Sequence, residues 1–244
     1  MKLILAHYKA ETLELLRQPG YLIPTMLFPS MFFLFFAAPH AQNPSTANFL
    51  YASFAAYAVF GVAFFQFGLG VAQDRATPWA TYLRTLPLPP FVRVAARTLS
   101  ALSFASLAAL VVTVTAYAAT PVALDGLRGG RLALGLAAGS IPAALMGIAL
   151  GYWASPRSAL PLANLLFFPL SFAGGLWLPP QELPGIAARI SPYLPTRQWA
   201  EVVWPAVLGE AWMLKPWLWL LGYTLAFAFL ATWGFRRDEG VRYR

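Results

Sequence analysis

Residues 49–71 read FLYASFAAYAVFGVAFFQFGLGV, an unbroken run without a charged side chain. A hydrocarbon core about 30 Å thick is crossed by about 20 apolar residues in an α-helix. Only a helix or a closed barrel satisfies every backbone N–H and C=O group there, so a run of this length predicts a transmembrane helix. Working outward, residues 21–38, 98–120, 132–153, 160–178 and 216–235 approach the same length with almost no charge inside them. The expectation is an all-α integral membrane protein, a single domain over residues 1–244 with six transmembrane helices. Pro24 and Pro29 in the first span, Pro142 in the fourth and Pro169 in the fifth predict kinks, which neighbouring helices accommodate in a membrane.

Composition excludes the common alternatives. The chain is 59% hydrophobic and only 11% charged, against roughly a quarter charged in an ordinary soluble domain, so it lacks the polar surface to cover a water-soluble particle. The net charge of +8 is scattered between apolar runs rather than gathered on one face, which argues against nucleic acid. With no cysteine and only His7 and His40, a thiolate or histidine metal centre is not expected. The amino terminus carries Glu11 and Glu14 and no small-residue cleavage site, so the first apolar run reads as an uncleaved insertion signal.

Lysine and arginine in alternate connections set the orientation. One side holds twelve of them, Arg75, Arg84 and Arg157 included, and the other holds Arg128, Arg131, Arg189, Arg197 and Lys215. The excess predicts both termini in the cytoplasm, which requires an even number of spans.

Residues 1–19 form a separate helical element. On a helical wheel Ile4, Leu5, Tyr8, Thr12, Leu15 and Leu16 share one arc, while His7, Glu11, Glu14 and Arg17 share the other. The pattern predicts an interfacial helix lying on the bilayer through Leu5, Tyr8 and Leu16, with the Lys9 stem snorkelling from the apolar arc. A helix packed on a partner protein gives the same pattern. In the fourth span Gly135, Gly139, Ala143, Gly147 and Gly151 place a small residue on every fourth position, which predicts a close helix crossing within one subunit or between two. Trp177, Trp199, Trp204, Trp212, Trp217 and Trp219 surround the connection 179–215. That connection reads as an outer, membrane-hugging hairpin of interfacial or re-entrant helices, its indole N–H groups in the headgroup layer.

Chemistry-bearing patterns are few. No Gly-x4-Gly-Lys-Ser/Thr loop is present, so this chain is not expected to hydrolyse ATP or to be an enzyme. The spans contain essentially no acids, which disfavours a proton-coupled carrier. Their notable polar residues are Gln66 and Asn164, read either as interhelical hydrogen-bonding groups or as substrate contacts. Residues 72–97 form the longest cytoplasmic connection: Asp74 and Arg75, then Trp79, Tyr82 and Leu83, then Leu86-Pro87-Leu88-Pro89-Pro90. Prolines deny backbone donors to a continuing helix, so the stretch predicts a short amphipathic helix with a hard stop.

This loop, Gln73-Asp74-Arg75 with Trp79, Tyr82-Leu83-Arg84-Thr85-Leu86-Pro87-Leu88 and Pro90, resembles the loop between the second and third spans of type-2 ABC exporter permeases. There an acidic-Arg pair precedes a Leu-x3-Pro-Leu segment. Pro78, Trp79 and Thr81 stand where many members have Gly-Thr and a following Glu. Phe168-Pro169-Leu170-Ser171-Phe172-Ala173-Gly174-Gly175-Leu176-Trp177-Leu178-Pro179, with Leu183-Pro184 and Ser191-Pro192, is similar to the family's fifth span and outer hairpin. The resemblance implies an ABC-2 type exporter fold whose chain binds no cofactor, with ATP and Mg carried by a separate ATPase subunit present in two copies. It also implies a second permease, identical or homologous, in a bacterial or archaeal cytoplasmic membrane. Asp74, Arg75, Trp79, Tyr82, Leu83, Arg84 and Pro87 would then couple to the ATPase. Gln66, Asn164, Phe168 and Ser171 would lie on a path built from the first, second and fifth spans, carrying a drug, lipid or lipid-linked glycan. An ATP-independent carrier or channel is the competing reading, and a membrane-embedded enzyme or scaffold a third.

Overall fold

The uncharged run at 49–71 lies within a helix that starts earlier than its apolar residues do. Asn43 caps it, its side-chain oxygen accepting the N–H of Thr46 at 2.9 Å, with Pro44 in the first turn. In the computed structural model, which describes residues 2–75, 77 and 90–242, this helix is α3, Pro44–Asp74. Before it come α1, Lys2–Leu16, and α2, Pro19–Phe32, which continues through a π-helical turn, Phe33–Ala37, and a 3-10 turn, Ala38–His40. After it come α4, Pro90–Ala119; α5, Gly126–Trp153; α6, Ala159–Ala173; α7, Gly185–Ile190; α8, Pro195–Leu208; and α9, Leu214–Arg242. The described residues contain no strand.

α3 is the axis of the bundle and touches α2, α4, α5, α6 and α8. Every residue from Leu50 to Phe60 is buried, as a helix apolar on all faces requires. Phe54, Phe60, Phe64 and Val62 are almost fully enclosed. At its start Asn48 makes two bonds at 3.0 Å with Ala123, donating to the carbonyl and accepting from the N–H. This pins the top of α3 to the turn before α5, whose own cap is Asp125, bonded to Arg128 N–H at 2.7 Å.

The small-residue ridge of α5 is spent entirely inside the chain. A Cβ on Gly147 would stand 2.4 Å from the Phe64 carbonyl oxygen, and one on Gly151 2.7 Å from that of Gly68, so the lower half of the ridge seats α3. A Cβ on Gly139 would stand 2.1 Å from the Trp199 ring, and Gly135 meets Val202 and Val203, so the upper half seats α8. α8 is therefore wedged among α3, α5 and α9.

Two expectations need correction. Five helical stretches are long and apolar enough to cross a membrane: Leu22–His40, Pro44–Asp74, Ala95–Ala119, Gly126–Trp153 and Leu214–Asp238. The fifth predicted span, 160–178, is helical only over Ala159–Ala173, about 22 Å at 1.5 Å per residue. It stops in a Schellman turn: Leu176 N–H bonds Ser171 O at 3.1 Å, Gly175 N–H bonds Phe172 O at 3.0 Å, and Gly175 takes φ +79°. The span expected at 98–120 lies within α4, whose apolar stretch is Ala95–Ala119 and whose helix starts earlier, at Pro90, because charge limits what enters lipid but does not end a helix. Second, the indoles of Trp199 and Trp204 do not point to a headgroup layer. Trp199, 2% exposed, donates to Gly135 O at 2.9 Å, and Trp204 donates to Ser53 Oγ at 2.7 Å, acceptors supplied by the neighbouring helices. α1 packs on α4 through one face and leaves the other outward. Its less exposed residues Ile4, His7, Tyr8, Glu11, Thr12 and Leu15 follow i, i+3, i+4 spacing, while Leu5 and Leu16 face outward, Leu5 at 65% exposure, as does Lys9. Polar partners on α4 decide which face packs.

Candidate functional site

The end of α3 gathers charged side chains from three other helices and backbone carbonyls from a fourth. Arg97, on α4, donates from Nε to Glu11 of α1 at 2.9 Å and from Nη2 to Asp74 at 2.6 Å, so one guanidinium joins α1, α3 and α4. The next residue faces the opposite way. Arg75 donates to Asp238 Oδ1 of α9 from Nε at 3.0 Å and from Nη2 at 2.6 Å. Its Nη1 reaches the carbonyls of Gly151 at 2.6 Å and Tyr152 at 2.8 Å, and its face lies 5.6 Å from the Tyr152 ring centroid. These are the orphan acceptors that end α5, at the negative end of its dipole, where a cation is favoured. Asp238 has a side chain only 9% exposed, so this pair is charge-assisted and largely shielded from water.

Above this junction a polar thread continues between α1, α3 and α4. Tyr8 OH and Ser103 Oγ are 2.9 Å apart, and Ser100 Oγ accepts from Thr12 at 3.4 Å and from Gln66 Nε2 at 3.3 Å. The predicted junction residues Asp74 and Arg75 thus stand together and with three groups that the sequence reading missed: Glu11, Arg97 and Asp238. A usable signal existed, since the chain holds nine acids and two of them, Asp74 and Asp238, close long apolar stretches. Trp79, Tyr82, Leu83, Arg84 and Pro87 lie outside the described residues.

Beside α3 runs a groove of ≈ 460 Å³ between α2 and α6. Gln66, Asn164 and Phe168 all line it. Ser171 does not; it is fully buried in the last turn of α6. Along α3 the lining runs from Gln73 up to Tyr57, and there an aromatic cluster stands over it. Trp177 is its centre, with the rings of Phe32, Tyr57, Phe168 and Phe172 at centroid distances of 5.8, 5.7, 6.0 and 6.3 Å, all steeply inclined.

A bundle of long apolar helices packed through small residues, with a groove at its flank and a charged knot at one end, defines a multi-pass membrane protein of the transport-permease class. The chain belongs to the ABC-2 type transporter family, which it matches over residues 2–203. It is also 24% identical over 238 residues to a Bacillus subtilis (strain 168) protein bearing the name "Putative transport permease YvfS", with 95% of this chain and 96% of that one covered. The family implies a membrane subunit rather than an enzyme, working with an ABC ATPase.

Proposed function

We propose that this chain is the membrane half of an ATP-driven exporter, moving a hydrophobic or amphipathic substrate outward across a bacterial or archaeal cytoplasmic membrane. Two permease copies, or one with a homologue, stand on two ATPase subunits that bind ATP and Mg. Both termini are cytoplasmic, and α6 with the turn at Gly174 and Gly175 completes a sixth crossing, followed by the re-entrant hairpin of α7 and α8. The observation that carries the reading is the knot at Asp74, Arg75 and Arg97, residues that flank 76–96 in the sequence. Force applied to that connection reaches α1, α3 and α4 through Asp74 and Arg97, and α5 and α9 through Arg75. Reversing the populations of two states needs only about 5 kcal/mol of differential binding, within what ATPase contacts supply. The groove between α2, α3 and α6 is the substrate path in this scheme.

Because Arg75 also holds α5 and α9 together, Asp74→Asn and Leu83→Asp are the informative variants. In proteoliposomes containing the ATPase, each is expected to keep nucleotide hydrolysis while losing most transport, with ATPase pull-down measured alongside to exclude lost binding. Transport at the native rate in both variants removes the coupling assignment, and transport by the permease without any ATPase selects a secondary carrier instead.

A further inference from the structure

We infer that the groove beside α3 selects an uncharged amphiphile, its hydrogen-bonding head toward Gln73 and its apolar part under Trp177. The inference rests on reading that groove as the substrate path, and narrows the substrate by chemistry the family does not fix. The lining is divided along its length. Toward the end of α3 it offers the amides of Gln18, Gln73 and Asn164, while Gln66 spends its amide on Ser100. Amides both donate and accept, which suits hydroxyls, carbonyls and other neutral polar groups. Farther along the groove come Phe28, Tyr57, Phe65, Phe167 and Phe168, a wall of rings that suits a planar or aliphatic body.

Among the described residues, no aspartate, glutamate, lysine, arginine or histidine lines the groove. The cation that stands behind the wall, Arg97, packs 3.5 Å from where a Cβ on Gly70 would be, and two carboxylates, Glu11 and Asp74, already occupy it. Among the described lining residues an anionic head finds no counter-charge, and neither does a cationic one. Charge moved from water into such surroundings is penalised far more than a neutral group that finds hydrogen-bond partners. The volume of ≈ 460 Å³ lies within the range of small-molecule pockets. Lipid phosphates, phosphate-linked glycans and quaternary ammonium drugs are therefore poor occupants, and neutral glycolipid-like or uncharged polyketide-like molecules are good ones.

The chain contains no cysteine, so Gly61→Cys provides a single thiol in the groove, where a Cβ meets only the Phe167 ring at 3.4 Å. The full-length variant in nanodiscs, without ATPase or nucleotide, is titrated with three probes sharing a naphthylhexyl tail and bearing a glucoside, a phosphate or a trimethylammonium head. Protection of the thiol from maleimide is read by mass spectrometry, at concentrations corrected for measured partitioning into the disc. The glucoside is expected to protect about tenfold better than either charged probe. Asn164→Leu is expected to weaken glucoside protection about three- to tenfold, and Asn164→Lys to shift the preference to the phosphate probe. Equal protection by a charged probe, absence of protection by all three, or an unchanged Asn164→Leu overturns the inference. Since no ATPase is present, these outcomes are independent of whether transport is ATP-coupled.

Discussion

Arg75 holds more of the molecule than any sequence rule assigns to it. A guanidinium presents its donors in a fixed planar fork, and here that fork is matched by a carboxylate on one side and helix-terminal carbonyls on the other. A lysine at this position keeps the charge but offers three donors on a point-like ammonium. Arg75→Lys is accordingly expected to lose about 1–3 kcal/mol, read as a lower midpoint of thermal unfolding in detergent. A variant that melts with the native chain would show that the cap is ornamental. Arg97 differs in kind: Glu11 and Asp74 share its charge, so its bonds distribute α1, α3 and α4 around one group. The sequence exposed Asp74 and Arg75 through their adjacency before a proline-rich stretch. It did not expose Glu11, Arg97 or Asp238, whose sequence distances from the pair run to 163 residues and which only folding brings near.

At the scale of elements, the contact between α3 and α5 is set by absent side chains. In lipid, apolar surface gives helices no hydrophobic reason to associate, so close backbone approach and dispersion have to supply the attraction. Gly147 stands where a methyl group would strike the Phe64 carbonyl, and backbone cannot swing aside as a side chain can. Gly147→Ala is expected to cost about 1–3 kcal/mol of unfolding free energy by forcing the axes apart. Gly130→Ala, in the same helix with nothing within 4 Å of the new methyl, is expected to be neutral or to stabilise by up to about 1 kcal/mol. Equal loss in both would mean that helix propensity rather than packing sets the response. The spacing of the ridge was legible in the sequence. That its upper half seats α8 was not, because α8 is short, carries Pro205, and reads as surface until Trp199 and Trp204 find acceptors on α5 and α3.

For the whole molecule, the two ends differ in what they carry. Gln42, exposed before α3, and Glu210, whose backbone carbonyl accepts from Arg131, belong to the end capped by Asn43 and Asp125. Arg157, exposed between α5 and α6, belongs to the end that holds the charged knot. With single cysteines in the cysteine-free chain, Gln42→Cys and Glu210→Cys are expected to react with an impermeant maleimide in intact cells. Arg157→Cys is expected to react only after permeabilisation. The reverse pattern would invert the orientation and place the knot on the wrong side for an ATPase.

For five of the six expected spans the sequence alone decided which segments can leave water, since transfer of an uncharged run of about 20 residues into lipid depends on that run's own composition and on its helix closing its own hydrogen bonds. The same holds for the absence of a nucleotide-cradling loop and for the proline-ended connection after α3. Tertiary structure decided the rest: which face of α1 turns inward, where α6 stops, which helices the glycine ridge admits, and which carboxylates meet Arg75 and Arg97. Those choices depend on distances between residues far apart in the chain, and a bond that forms only at about 3 Å leaves no trace in composition or spacing.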